Sequence, residues 1–116
     1  MKKNIDIIGV IGLGYVGLPL ALEFSKKIKV VGFDVNKERI LQLSKGKDKN
    51  NEIRNNKITN LKNLEFSYDD TRLKNCNIFI VTVPTPVDTR NLPDLIFLKK
   101  ACETVGKYIK KNSIFI

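Results

Sequence analysis

Ile5-Asp6-Ile7-Ile8-Gly9-Val10-Ile11 runs straight into Gly12-Leu13-Gly14-Tyr15-Val16-Gly17-Leu18-Pro19-Leu20-Ala21. A short apolar run closed by glycine suits a buried parallel strand. Beyond it, Val16, Leu20 and Phe24 recur every four residues with Ala21 beside them, which predicts a helix with Val16 on its apolar face. Pro19 lies near the helix start, where a missing N–H costs little. Lys26-Lys27 are expected to close the helix with positive charge at its negative end.

The same alternation continues downstream. Ile28 to Phe33 reads as a second strand ending at Asp34, and Asn36 is a fair cap for a helix carrying Ile40, Leu41 and Leu43, with Gly46 as its terminator. Residues 45–63 are polar and rich in Lys and Asn, as an irregular insertion or frayed helix would be. Leu64 to Tyr68 alternates as a third strand, and Asp69-Asp70-Thr71 starts a short helical turn ending near Lys74. Asn77 to Val83 is a fourth, β-branched strand that Pro84-Thr85-Pro86 stops abruptly. Asp94 is expected to cap a long helix whose apolar face is Leu98, Ala101, Cys102, Val105 and Ile109. Ser113 to Ile116 reads as a fifth strand. Such alternation predicts an α/β fold: a Rossmann-type doubly wound parallel sheet, three layers α-β-α, ending after about strand five. The 116 residues suffice for one domain, 1–116, and not for two.

The glycines and Asp34 form one chemical unit. The Gly-x-Gly-x-x-Gly spacing directly follows a strand and opens a helix, and the acid sits 22 positions after Gly12 at the end of the next strand. That context is the dinucleotide-binding arrangement. Gly12 allows the tight turn out of the strand, Gly14 lets a pyrophosphate approach the backbone, and Gly17 lets the helix pack closely on the sheet. The free N–H groups at the helix start then face the anion. Asp34 can accept hydrogen bonds from both ribose hydroxyls of the adenosine half, which favours NAD. A 2′-phosphate would meet that carboxylate with no compensating charge at Val35 or Asn36. Arg39, one turn into the helix, either lies over the adenine, reaches a phosphate, or is simply a solvated surface arginine. Val83, Pro84, Thr85, Pro86 and Val87 leave the fourth strand where the strand order reverses, so they either border the nicotinamide side or form only a rigid Pro-x-Pro turn.

Composition narrows the chemistry further. No histidine is present, so neither a Ser-His-Asp nor a Cys-His pair can be built, and His-containing zinc sites are excluded. Cys76 and Cys102 lack the CxxC spacing and read as two reduced, buried thiols of a cytoplasmic protein. No apolar run reaches the about 18 residues of a membrane span. Met1-Lys2-Lys3-Asn4 resembles the start of a signal peptide, but Asp6, the glycines and the lack of a cleavage site identify the apolar segment after it as a strand. The charge of +9 invites a nucleic-acid reading. Against it, 17 lysines outnumber 4 arginines and are scattered among 12 asparagines and 14 isoleucines, a bias expected of an AT-rich genome. We therefore expect no nucleic-acid partner and no membrane.

Three segments together resemble one known family. Gly12-Leu13-Gly14-Tyr15-Val16-Gly17-Leu18-Pro19 resembles the N-terminal signature of the UDP-glucose/GDP-mannose dehydrogenases. Gly32-Phe33-Asp34 with Arg39 is similar to their adenosine-binding segment, and Pro84-Thr85-Pro86 followed by Asn91-Leu92-Pro93-Asp94-Leu95 to the stretch after their fourth strand. The resemblance implies that Gly12 to Gly17 surround the pyrophosphate of NAD, that Asp34 and Arg39 hold the adenosine, and that Val83 to Val87 line the cofactor further along. It also implies oxidation of a UDP-sugar C6 alcohol to a carboxylate with two NAD, through a cysteine thioester, in an enzyme that is a homo-oligomer at full length.

The run Val83-Pro84-Thr85-Pro86-Val87-Asp88 lacks the acidic-glycine turn of the UDP-glucose enzymes. It looks more like the UDP-N-acetylhexosamine 6-dehydrogenases, which supply uronic acids for bacterial capsular, O-antigen and Vi-type polysaccharides. Family members run to several hundred residues, with the nucleophilic cysteine in a Gly-rich motif of a C-terminal domain. Neither Cys76 nor Cys102 sits in such a motif, so no residue here is expected to be catalytic, and the chain is expected to be the NAD-binding part of a longer enzyme, inactive alone. A UDP-glucose 6-dehydrogenase, another NAD dehydrogenase or a non-catalytic NAD-binding regulatory module would share the first 35 residues. The later Pro-rich segment separates the last two from this family.

Overall fold

Five parallel strands and three α-helices alternate in the computed structural model, which describes residues 6–45, 62–111 and 113–116. The strands are β1 (Ile7–Ile11), β2 (Lys29–Phe33), β3 (Leu64–Ser67), β4 (Ile78–Val81) and β5 (Ile114–Phe115). The helices are α1 (Gly17–Ser25), α2 (Lys37–Ser44) and α3 (Ile96–Tyr108), with a short 3₁₀ helix at Asp70–Asn75 before β4. Most of the polar stretch 45–63, including Gly46, and Met1 to Ile5 lie outside the described residues.

The strand order is β3-β2-β1-β4-β5. The chain starts in the middle, winds to one edge, returns and winds to the other. The reversal therefore falls between β1 and β4, where Ile11 pairs with Val81. Side chains alternate across the pleat, and this period splits the core in two. Ile8, Val10, Val30 and Ile80 pack on one face with Leu13, Leu18, Ala21, Ile40 and Leu43, under α1 and α2. Ile11, Val31, Phe33 and Phe79 pack on the other with Leu73, Cys76, Ala101 and Val105, under the 3₁₀ helix and α3. The expected three-layer α/β fold is what the chain adopts.

Several helix details differ from the periodicity reading. In α1 the buried positions are Gly17, Leu18, Ala21 and Ser25, while Val16, just before it, is exposed. Gly17 must face the loop behind it, which rotates the stripe. Lys26 and Lys27 follow α1 rather than occupying its last turn, and Lys26 pairs with Glu23 at 3.0 Å. Leu41 is exposed, leaving Ile40 and Leu43 as the anchor of α2. In α3 the packed positions are Ala101, Val105 and Tyr108; Cys102 and Ile109 are exposed. Cys102 lies one position past buried Ala101, about 100° round the helix, and Ile109 follows the helix end, where the backbone is extended. Cys102 is thus not the buried thiol expected. Cys76 is buried, and desolvation pushes its thiol up to about 11. Asp94 accepts from Ile96 N at 3.1 Å, but the cap position itself is Leu95, one residue later than expected.

Polar contacts fasten the periphery. Tyr108 Oη (2.8 Å) and Lys107 Nζ (3.0 Å) both donate to Asp70, tying α3 to the 3₁₀ helix and holding that carboxyl below its usual range. Arg72 donates to both oxygens of Glu65 at 2.6 Å, which lowers the Glu65 carboxyl likewise.

Candidate functional site

The turn from β1 into α1 is built on three glycines with three separate reasons. Gly12 has φ +98°, and a Cβ there would approach the Thr82 carbonyl oxygen to 2.9 Å. A Cβ on Gly17 would collide with the Gly12 carbonyl oxygen and the Thr82 hydroxyl. The expected reason for Gly17, close packing of helix on sheet, therefore becomes more specific: it packs on the loop it terminates. Gly14 is the opposite case, since a Cβ there would meet nothing within 4 Å. Its bare backbone fronts open space, the condition for close approach of a phosphate group. No side chain caps α1, whose positive dipole end points back toward the loop; of its first three residues, Leu18 donates its N–H to Gly14 O at 3.2 Å and Pro19 has none to donate.

Asp34 and Arg39 meet this turn from the β2–α2 connection. Asp34 Oδ2 accepts from Leu13 N and Oδ1 accepts from Asn36 N, both at 2.9 Å. The half-buried carboxylate still borders the crevice, and its oxygens retain lone pairs for further donors. Asn36 caps α2 as expected by accepting from Arg39 N at 3.1 Å. Arg39 is only 8% exposed, so it is not a solvated surface arginine. Its Nε and Nη2 donate to the Leu13 carbonyl at 2.9 and 2.7 Å.

A crevice of about 760 Å³ opens over the carboxyl ends of β1, β2 and β4. Gly12 to Val16, Asp34, Arg39, Val83, Pro84 and Thr85 line it. Tyr15 and Val16 are exposed at its rim. Gly17 acts behind the lining. Pro86 and Val87 turn away instead: the Pro86 carbonyl accepts from Asp94 N at 2.6 Å, and Val87 bridges Pro93. They shape the connection to α3 and are not among the residues that line the crevice.

Several contributors escaped the sequence reading. Thr82 donates to the Gly12 carbonyl at 2.7 Å. Phe97, Lys100 and Thr104 enter the lining from α3. They fall at i, i+3 and i+7, a helical spacing that was legible; what hid it was the longer apolar series one position along. The chemistry of the whole is that of an anion seat beside a hydroxyl-accepting carboxylate, walled by apolar residues.

The family model described as "UDP-glucose/GDP-mannose dehydrogenase family, NAD binding domain" matches residues 6–116. The chain belongs to this family. As that domain its cofactor is NAD. It is 50% identical over 109 residues to the UDP-N-acetyl-D-glucosamine 6-dehydrogenase of Salmonella typhi, covering 94% of this chain and 26% of that protein. It is 48% identical over 116 residues to protein CapL of Staphylococcus aureus, covering all of this chain and 26% of CapL. The solved structure of a UDP-D-ManNAc dehydrogenase from Pyrococcus horikoshii superposes with a TM-score of 0.83 at 32% identity, over 94% of this chain and 27% of that one. The chain thus spans about a quarter of the length of the relatives it matches.

Proposed function

We propose that the intact protein carrying this chain oxidises the C6 alcohol of a UDP-N-acetylhexosamine to the uronic acid, consuming two NAD, for surface-polysaccharide synthesis in a bacterial cytoplasm. The observation that carries the substrate class is the 50% identity to a UDP-N-acetyl-D-glucosamine 6-dehydrogenase; the UDP-D-ManNAc dehydrogenase, at 32%, is likewise named for an N-acetylhexosamine. The free thiols of Cys76 and Cys102 agree with a reducing compartment. Alcohol to carboxylate removes four electrons, hence two NAD. When bound, NAD supplies the hydride acceptor.

This chain's residues bind and orient. Gly12, Leu13, Gly14, Tyr15, Val16 and Gly17 form the pyrophosphate seat, where backbone N–H groups and the α1 dipole meet the negative charge. Asp34 accepts from the adenosine ribose and disfavours a 2′-phosphate. Val83, Pro84 and Thr85 wall the crevice further along, their apolar surface excluding water. The catalytic groups and the contacts of a homo-oligomer lie outside this chain.

The test is turnover of the intact protein with UDP-N-acetylglucosamine, UDP-N-acetylgalactosamine and UDP-glucose, following NADH. The expected result is turnover of an acetylated sugar with two NADH per uronic acid. Turnover of UDP-glucose alone would favour a UDP-glucose 6-dehydrogenase, and NAD binding with no turnover a regulatory module.

A further inference from the structure

The glycine loop is gripped at two successive carbonyls from opposite sides. Thr82, just past β4, donates its hydroxyl to Gly12 O at 2.7 Å. Arg39, from α2, donates through Nε and Nη2 to Leu13 O at 2.9 and 2.7 Å, and these bonds are buried. The intervening Leu13 N–H is taken by Asp34 Oδ2. Leu13 itself is 1% exposed. A buried guanidinium with two of its donors on one carbonyl is a strong, charge-assisted hold. Across a trans peptide the C=O and the next N–H point opposite ways. Fixing Leu13 O therefore turns the Gly14 N–H away from Arg39. Among the described residues, the N–H groups of Gly14, Tyr15 and Val16 have no acceptor. The loop thus carries unspent donors in a shape set by neighbours rather than by itself.

Building on the reading of this crevice as the NAD site, we propose that Arg39 and Thr82 are positioning residues for the pyrophosphate loop. They hold its peptide planes in the ligand-ready orientation before NAD arrives. Arg39 then serves the phosphate end of the cofactor through Leu13 O, which takes its Nε and Nη2. Preorganised donors bind an anion more tightly because no ordering cost is left at the moment of binding. The loop seats only the pyrophosphate, so the two grips affect ligands that carry one and spare those that do not.

The experiment measures calorimetric or competition affinities of NAD, ADP-ribose and adenosine in the intact protein, for the unsubstituted form, Arg39→Lys and Thr82→Val. Lysine keeps the charge but not the two-pronged fork, and valine is nearly isosteric with threonine. The expected result is a loss of about tenfold or more for NAD and ADP-ribose in both variants, with adenosine changed less than about twofold. An equal loss for adenosine in Arg39→Lys would make Arg39 an adenosine contact and overturn the proposal for it. Unchanged NAD affinity in both variants would overturn the proposal entirely. Should Arg39→Lys fail to fold, the Thr82→Val affinities alone decide whether the loop is held for the pyrophosphate. Failure of the unsubstituted protein to bind NAD at all would instead overturn the cofactor reading beneath.

Discussion

Two connections leave neighbouring strands at the same end of the sheet, and they are built in contrary ways. The turn after β1 is short, and its residues Gly12 and Leu13 are buried and bonded to three other parts of the chain. The connection after β4 runs, beyond Thr82, from Val83 to Leu95, and Pro84 to Val87 are exposed. It holds its own shape instead. Asp88 Oδ1 accepts from Arg90 N at 2.8 Å and Leu92 N at 3.1 Å, and Asp88 N donates to Leu92 O at 2.8 Å. Asn91 takes the left-handed φ of 58° that the turn requires. The first connection must present backbone donors in fixed directions, so the domain supplies its rigidity. The second only borders the crevice, so local hydrogen bonds suffice.

Damage to the first connection should therefore spread, and damage to the second should stay local. The largest effect is expected from Gly17→Ala, whose methyl has no room against Gly12 O and Thr82. Thermal melting should fall by at least the ~1–3 kcal/mol typical of overpacking, and NAD binding should be lost with it. Gly14→Ala is the control: it should melt normally yet bind NAD at least about tenfold more weakly, the methyl filling ligand space. Normal melting and binding in Gly17→Ala would break the contrast.

Asp34→Ala comes next. Loss of charge-assisted acceptance should cost NAD ~1.5–3 kcal/mol, read by calorimetry, and should narrow the preference over NADP. Equal affinity for both cofactors in the unsubstituted protein would remove the role given to this acid. Smaller still is Asp88→Ala, in the self-held connection. A small loss of stability is expected in thermal melting, with NAD affinity nearly unchanged; a large drop in affinity would mean that this segment also depends on distant support.

The smallest effect lies away from both connections. Asp70 is held below its ordinary value of 3.8 by Lys107 and Tyr108, so it binds a proton less readily folded than unfolded. Its contribution is present in full above that ordinary value and fades as pH falls through the lower, folded one. Asp70→Asn should melt slightly earlier at neutral pH and show a shallower loss of stability on acidification; an unchanged acid profile would show that the exposed pair is screened to nothing.

The sequence by itself determined the strand-helix alternation, the sheet's parallel order and the glycine-acid unit, because each rests on short-range requirements. A buried strand needs a continuous apolar run, Gly12 needs a positive φ, and a carboxylate 22 residues on falls at the end of the adjacent strand. Tertiary structure alone decided which way each helix turns and what Arg39 and Thr82 hold. Val16 and Cys102 fit an apolar stripe by spacing yet are exposed, because the close fit of Gly17 on its loop and of Ala101 and Val105 on the sheet fixes the rotation of α1 and α3. In one dimension Arg39 reads equally as a ligand contact or as a solvated surface arginine. Only packing, which buries its guanidinium on a carbonyl 26 residues away in sequence, shows it fastening the loop.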